Sequence, residues 1–214
     1  MVRRTKEEAE QTRDHILDAA ERLFYDQGVA RTSLEGIARA AGVTRGAVYW
    51  HFRNKIDVFV AMQERARLPQ EDVIEQLAQT DTDDGLLSLR EACKSAILMI
   101  AGDERSRRVC SILMHRCEYV EEMGDAALRR QINKQHLSEH LIRIFEIAEK
   151  RGTLSPNWTP RLSAISLHGL IHGLLNDWLS DPEQYDMADS GPRCIDAFFK
   201  GLAPGLPAGP VPKG

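Results

Sequence analysis

The sequence predicts an all-α protein. Three observations carry that class. Apolar residues recur at helical spacing in one segment after another, N-cap residues and glycines or prolines bound those segments, and no stretch reads as a strand. The 214 residues suffice for one large domain or two modest ones. With 43% apolar and 28% charged residues the composition is that of an ordinary soluble globular protein. No apolar run reaches the roughly 18 residues a bilayer span needs, so no membrane partner is expected. The opening MVRRTKEEAEQTR is charged and lacks the apolar core of a secretory signal. The four cysteines (Cys93, Cys110, Cys117, Cys194) form no C-x-x-C pair and no disulfide framework. A reducing cytoplasm is the expected compartment.

The helices follow in order. Arg3, Arg4 and Lys6 precede the first and suit either a solvated terminus or an arm reaching a minor groove. The first helix runs from about Lys6 to Asp26, with Ile16, Ala19, Ala20, Leu23 and Phe24 on one stripe, and Gly28 ends it. Thr32 with Glu35 three residues on reads as a capping box for a second helix, whose Ile37, Ala38 and Ala41 share a face. Gly42 falls at a sharp turn. Thr44 then caps a third helix ending near Phe52, with Val48 and Phe52 inward and Arg45, Gly46, Tyr49 and Trp50 on the opposite face.

Asn54 caps the next helix, which carries Ile56, Val58, Phe59, Val60 and Met62 toward Leu68 and Pro69 and is the natural lever between head and body. Residues 80–85 are a polar break. Helices are expected over Leu86–Ala101, Glu104–Val120, Asp125–Lys150 (Ile132 and Leu137 on its apolar stripe), 160–179 and 192–202. The closing APGLPAGPVPKG holds four prolines and three glycines, a composition of disorder.

Charge separates head from body. Residues 1–68 hold 12 Lys/Arg and 10 Asp/Glu, against 16 and 22 in the remainder. From Gly36 to Ile56 stand four cations (Arg39, Arg45, Arg53, Lys55) and no carboxylate, in a chain of formal net charge −4. Charge alone suits a solvated basic hairpin equally well. Two capped helices around a turn glycine, with small Ala38 where they must approach, favour a helix-turn-helix aimed at a major groove.

Two features of the body carry alternatives. His168, His172 and Asn176 recur every four residues on an apolar helix. They suit an interface or solvent contact, a ligand cavity with a few orienting polar groups, or a metal shared by the two histidines. Cys110, Met114 and Cys117 form a sulfur-rich face that suits core filling, an adaptable pocket or a redox sensor. A metal- or redox-responsive sensor using His168 and His172 or the cysteines is therefore the alternative function. No G-x-S-x-G, H-E-x-x-H or Walker loop is present, and neither an enzyme nor a cofactor is expected.

The run from Lys6 to Lys55, above all GVTRGAVYWHFRNK, resembles the N-terminal domain of the TetR family of transcriptional regulators, closest to its AcrR-like branch of multidrug-efflux repressors. The resemblance is near-continuous over residues 1–68 and elsewhere rests on helix number, length and order. It implies a helix-turn-helix DNA-binding domain over 1–53, a larger helical ligand-binding and dimerisation domain over 54–203, and a disordered tail over 204–214. It further implies a homodimer that binds a palindromic double-stranded operator and is released by a small, mostly apolar ligand, drug-like or phenolic. Carried onto this sequence, Thr32, Thr44, Arg45 and Gly46 approach bases or neighbouring phosphates, while Tyr49, Trp50, His51 and Lys55 hold phosphates. Cys110, Met114, Leu137, Leu141, His172 and Asn176 fall on the ligand cavity, and Trp178, Ile195, Phe198 and Phe199 on the dimer interface. His172 stands where some relatives carry an acid.

Overall fold

The structure is a computed structural model that describes residues 6–65, 69–82, 84–117 and 124–206. Among the described residues every regular element is helical. The chain divides into two compact units, Met1–Arg67 with Arg105–Arg129, and Leu68–Glu104 with Arg130–Gly214.

In the first unit, α1 (Lys6–Gln27), α2 (Leu34–Ala40), α3 (Arg45–His51) and α4 (Lys55–Arg65) enclose one core with α7 (Glu104–Ser111). Ile16, Leu17, Ala20 and Phe24 of α1 meet Ile37, Val48, Phe52, Val58, Phe59 and Met62, and Val109 and Ile112 close the core. Gly28 turns the chain at φ +86°, and the next residue, Val29, donates its amide to the Arg116 carbonyl at 3.1 Å. Val58, Phe59 and Met62 of α4, beyond the boundary expected at residues 53 and 54, lie in this core as well.

The long helix expected over Glu104–Val120 stops being α-helical after Ser111, and Ile112–Arg116 form a π turn. The i, i+4, i+7 spacing of Cys110, Met114 and Cys117 therefore does not make one α-helical face. Residues 118–123 lie outside those described.

A buried charge ties three of these helices. Glu21 of α1 is 2% exposed. It accepts from Arg65 of α4 at 3.3 Å and from Arg105 of α7 at 3.2 Å, and pairs with Arg108 at 3.4 Å. Burial nevertheless lifts its carboxyl above the ordinary 4.5, with Arg108 and Arg65 only partly offsetting the desolvation. A carboxyl raised on folding contributes stability that is fully present below its unfolded value and is lost as pH rises through the folded one. The stability that Glu21 gives over a Glu21→Gln variant should therefore depend on pH. The wild type's stability relative to this variant should be greatest near pH 4 and fall toward pH 7. Paired urea titrations across that range check it, and a difference that grew with pH would show the carboxylate to be net favourable.

The second unit holds α5 (Pro69–Gln79), α6 (Gly85–Gly102), α9 (Pro160–Ser180), α10 (Met187–Leu202) and the body of α8 (Gly124–Lys150). Helix α5, which the apolar pattern did not announce, begins at a proline with Glu71 and Asp72 in its first turn. Thr159 caps α9 by accepting from Leu162, with Pro160 at its first turn. Helix α10 starts five residues before the expected Pro192, since Asp186 accepts the Ala188 amide and caps it there. Pro192 lies inside the helix. Ile132, expected on the buried stripe of α8, is 41% exposed.

Helix α10 packs closely on α6. A Cβ on Gly191 would stand 2.6 Å from Ile97 Cγ2 and 2.9 Å from Met187 Sδ. The sulfur can move, but Ile97 is fully buried. Alanine would gain up to ~1 kcal/mol of helix propensity. Overpacking of this kind costs ~1–3 kcal/mol, so Gly191→Ala should destabilise by up to ~2 kcal/mol net in urea denaturation. A stabilised variant would contradict the close approach.

Candidate nucleic-acid interface

The face is built by two short capped helices. Ser33 Oγ accepts the Gly36 amide at 3.1 Å and starts α2, and Thr44 Oγ1 accepts the Ala47 amide at 3.1 Å and starts α3. Between them Gly42 takes φ +67°, and Val43 donates to the Ala38 carbonyl at 3.0 Å. A Cβ at Gly42 would meet nothing within 4 Å, so the backbone angle alone is what a side chain would strain there. Ile37, Ala38, Val48 and Phe52 face the core and fix the pair against α1.

The cap of α2 is one residue later than expected. Thr32 is 3% exposed, with its hydroxyl donated to the Gly28 carbonyl at 2.8 Å and accepting from Gln27 at 3.2 Å. That commits its hydroxyl to the α1–α2 connection. Thr44, Arg45, Gly46, Tyr49 and Trp50 are exposed together, Trp50 at 73%. His51 is half-buried, its ring edge-on to Trp50 at 4.5 Å.

Three of the four cations are already engaged. Arg45 Nη1 lies 2.9 Å from Glu35 Oε1, its Nη2 donates to Tyr49 Oη at 3.4 Å, and its guanidinium carbon sits 5.2 Å over the Tyr49 ring. The Tyr49 hydrogen bond, then Tyr49 and Glu35 charge, hold the guanidinium more firmly protonated than usual. Arg53 pairs with Asp57 at 2.9 Å, and Asp57 accepts at 3.2 Å from the Arg53 amide. Asn54 Oδ1 accepts the Asp57 amide and caps α4. Lys55 Nζ donates to the Ala30 carbonyl at 3.0 Å. The acid-free stretch is thus flanked by Glu35 and Asp57, which the folded chain turns back onto two of its cations. Sequence spacing gave no sign of the Glu35–Arg45 pair, because residues ten apart on different helices meet only once the turn is made.

The residues expected on a ligand cavity are distributed over both units. Leu141 is buried and Leu137 half-buried on α8, while His172 and Asn176 are exposed on α9. Cys110 and Met114 are half-buried and belong to the first unit. A recess in the second unit of about 370 Å³, counting space open to solvent, is lined by Leu77, Leu86, Ile144, Ile147, Arg151 and Leu206 among others, and by none of those six. Trp178, Ile195 and Phe199, expected at a dimer interface, are 5%, 0% and 0% exposed within the single chain. In the single chain these three side chains pack in the core, and Phe198 is half-buried against Trp158 at 5.6 Å.

His168 and His172 stack at 5.9 Å. Burial, then Lys134 and His172, lowers the His168 pKa. Among the described residues no three His, Cys, Asp or Glu side chains are grouped to hold a metal ion. Burial pushes the Cys93 thiol up to about 12, the opposite of a reactive thiolate. Among the described residues no helix is long and apolar enough to cross a membrane.

Comparison with known proteins agrees with this arrangement. Residues 16–62 match the family described as bacterial regulatory proteins, tetR family, and residues 84–204 match the MAATS-type transcriptional repressor, C-terminal region. The chain is 38% identical to the HTH-type transcriptional repressor BepR of Brucella suis, over 94% of this chain and 96% of that protein. Its fold superposes on the crystal structure of NalD, the secondary repressor of the MexAB-OprM multidrug efflux pump in Pseudomonas aeruginosa, with a TM-score of 0.84 and 44% identity. That match covers 94% of this chain and all (100%) of the other. It also superposes on SmeT, the Stenotrophomonas maltophilia efflux-pump repressor, in complex with triclosan. There the TM-score is 0.82 and the identity 32%, over 95% of this chain and 98% of the other.

Proposed function

The chain belongs to the TetR family of bacterial transcriptional regulators, and from that premise we propose that it is a homodimeric repressor of a multidrug efflux pump operon, binding a palindromic operator and released by a small, mostly apolar ligand. The observation that carries the DNA reading is the outward face of α3. Arg45, Tyr49 and Trp50 are exposed in one patch, on a helix whose opposite side is locked into the core. Arg45 and Thr44 suit base edges, while Tyr49, Trp50, His51 and Lys55 suit phosphates. Two such faces on a two-fold dimer would read half-sites about one helical turn, roughly 10 bp, apart.

We place the dimer surface on the exposed stripe of α9, beside the expected Trp178, Ile195, Phe198 and Phe199. Leu162 and Ile165 are 46% and 58% exposed. Gly169 and Gly173 follow at helical spacing, each with nothing within 4 Å of an added Cβ. This small and apolar stripe suits close approach of a second helix. Control of efflux is supported by NalD and SmeT together, and the triclosan complex of SmeT supports a small apolar ligand.

Ligand and operator oppose each other through one coupling free energy, typically ~1–3 kcal/mol, and the effect must be reciprocal. The test titrates triclosan and other efflux substrates into the protein with and without an operator duplex. A true inducer binds about 5- to 150-fold more weakly when operator is present; equal affinities for every ligand bound would end the proposal. Lys55 has two N–H donors left for a phosphate beyond the one given to Ala30. Lys55→Ala should weaken all duplexes alike and lower the salt slope by roughly one, read from binding at several salt concentrations.

A further inference from the structure

Glu35 is not the residue that caps α2. Helix α2 is capped by Ser33, and Glu35 makes its contact outward, to Arg45 across the turn, with both side chains more than half exposed at 56% and 63%. An ion pair that open contributes little to stability. It does change what Arg45 presents. One side of the guanidinium faces a carboxylate at 2.9 Å and the other a tyrosine hydroxyl at 3.4 Å, so its charge is locally cancelled and its plane is fixed over the Tyr49 ring. A passing phosphate would have to displace Glu35 while bringing a second full anion toward it. A guanine edge, taken by both N–H donors of the fork at once, carries less charge and returns a bidentate bond.

On the reading that α3 faces DNA, we propose that Glu35 is a specificity-determining residue that masks Arg45 from phosphates and yields it to the operator's bases. It is a positioning residue acting through Arg45, and its effect lies in the ratio of operator to non-operator affinity.

The test uses the full chain and two duplexes of equal length, one selected by the protein from a random library and one scrambled. Binding is followed by anisotropy between 50 and 200 mM KCl. Glu35→Gln should bind the scrambled duplex about three- to tenfold more tightly and steepen its salt slope by roughly one. Operator affinity should change less, so that discrimination falls, and thermal unfolding should match the wild type. In an Arg45→Ala background the same substitution should lose most of that gain, the coupling a double-mutant cycle measures. An equal gain with and without Arg45 would show that Glu35 acts only through its own charge and would overturn the assignment, as would an unchanged ratio. A wild-type chain that bound every duplex alike would sink the DNA reading first, before Glu35 was varied.

Discussion

Phe59→Ala should cost about 3–5 kcal/mol in a urea titration, the range for emptying a buried aromatic site. Phe59 is fully buried on α4 and meets Phe24 of α1 edge to face, with ring centroids 6.0 Å apart at 69°. The same core carries Val58 and Met62 from α4 and Ile37, Val48 and Phe52 from beneath the DNA face. A loss of that size is a large share of the ~5–15 kcal/mol by which domains are stable. It should therefore appear twice, as a lowered urea midpoint and as weaker binding to every duplex at the temperature where the head begins to open. Phe59→Leu keeps most of the volume and should cost less than about 2 kcal/mol. A Phe59→Ala variant within 1 kcal/mol of wild type would mean that α4 is not pinned to α1 in the way its burial indicates.

The head was legible where local chemistry and packing agree. In building the turn, Thr44 supplies the N-cap and Gly42 the positive φ, and no neighbour competes for either part. Thr32 and Ser33 are adjacent and chemically equal as caps, so the choice between them fell to packing, which took the Thr32 hydroxyl for the Gly28 carbonyl. Periodicity also shows that a face is apolar without showing what covers it. Ile195 and Phe199 of α10 read as an interface stripe because an interface and a core demand the same side chains, and α10 gives that stripe to its own unit. The π turn at Ile112–Arg116 was invisible because one extra residue per turn leaves no mark on composition. Ion pairs were the least legible of all. Glu35 with Arg45, and Glu21 with Arg65 and Arg105, join residues on different helices, which the chain order alone does not bring together.

Arg45→Ala should lower operator affinity by roughly ten- to a hundredfold, the worth of one well-made bidentate base contact, and scrambled-duplex affinity by much less. Its side chain is 63% exposed, and its partners Glu35 and Tyr49 are themselves open to solvent, so the unfolding midpoint should stay where it is. The substitution that separates readout from charge is Arg45→Lys. Lysine keeps the cation but has no planar fork, so it should preserve scrambled-duplex binding and its salt slope while failing to restore discrimination. The face already orients the fork, through Tyr49 beneath it and Glu35 beside it, and a lysine ammonium has no plane for that ring to fix. If Arg45→Lys recovered full discrimination, Arg45 would be serving as a point charge on a phosphate. The base-reading role would then pass to Thr44 and the exposed aromatics of α3.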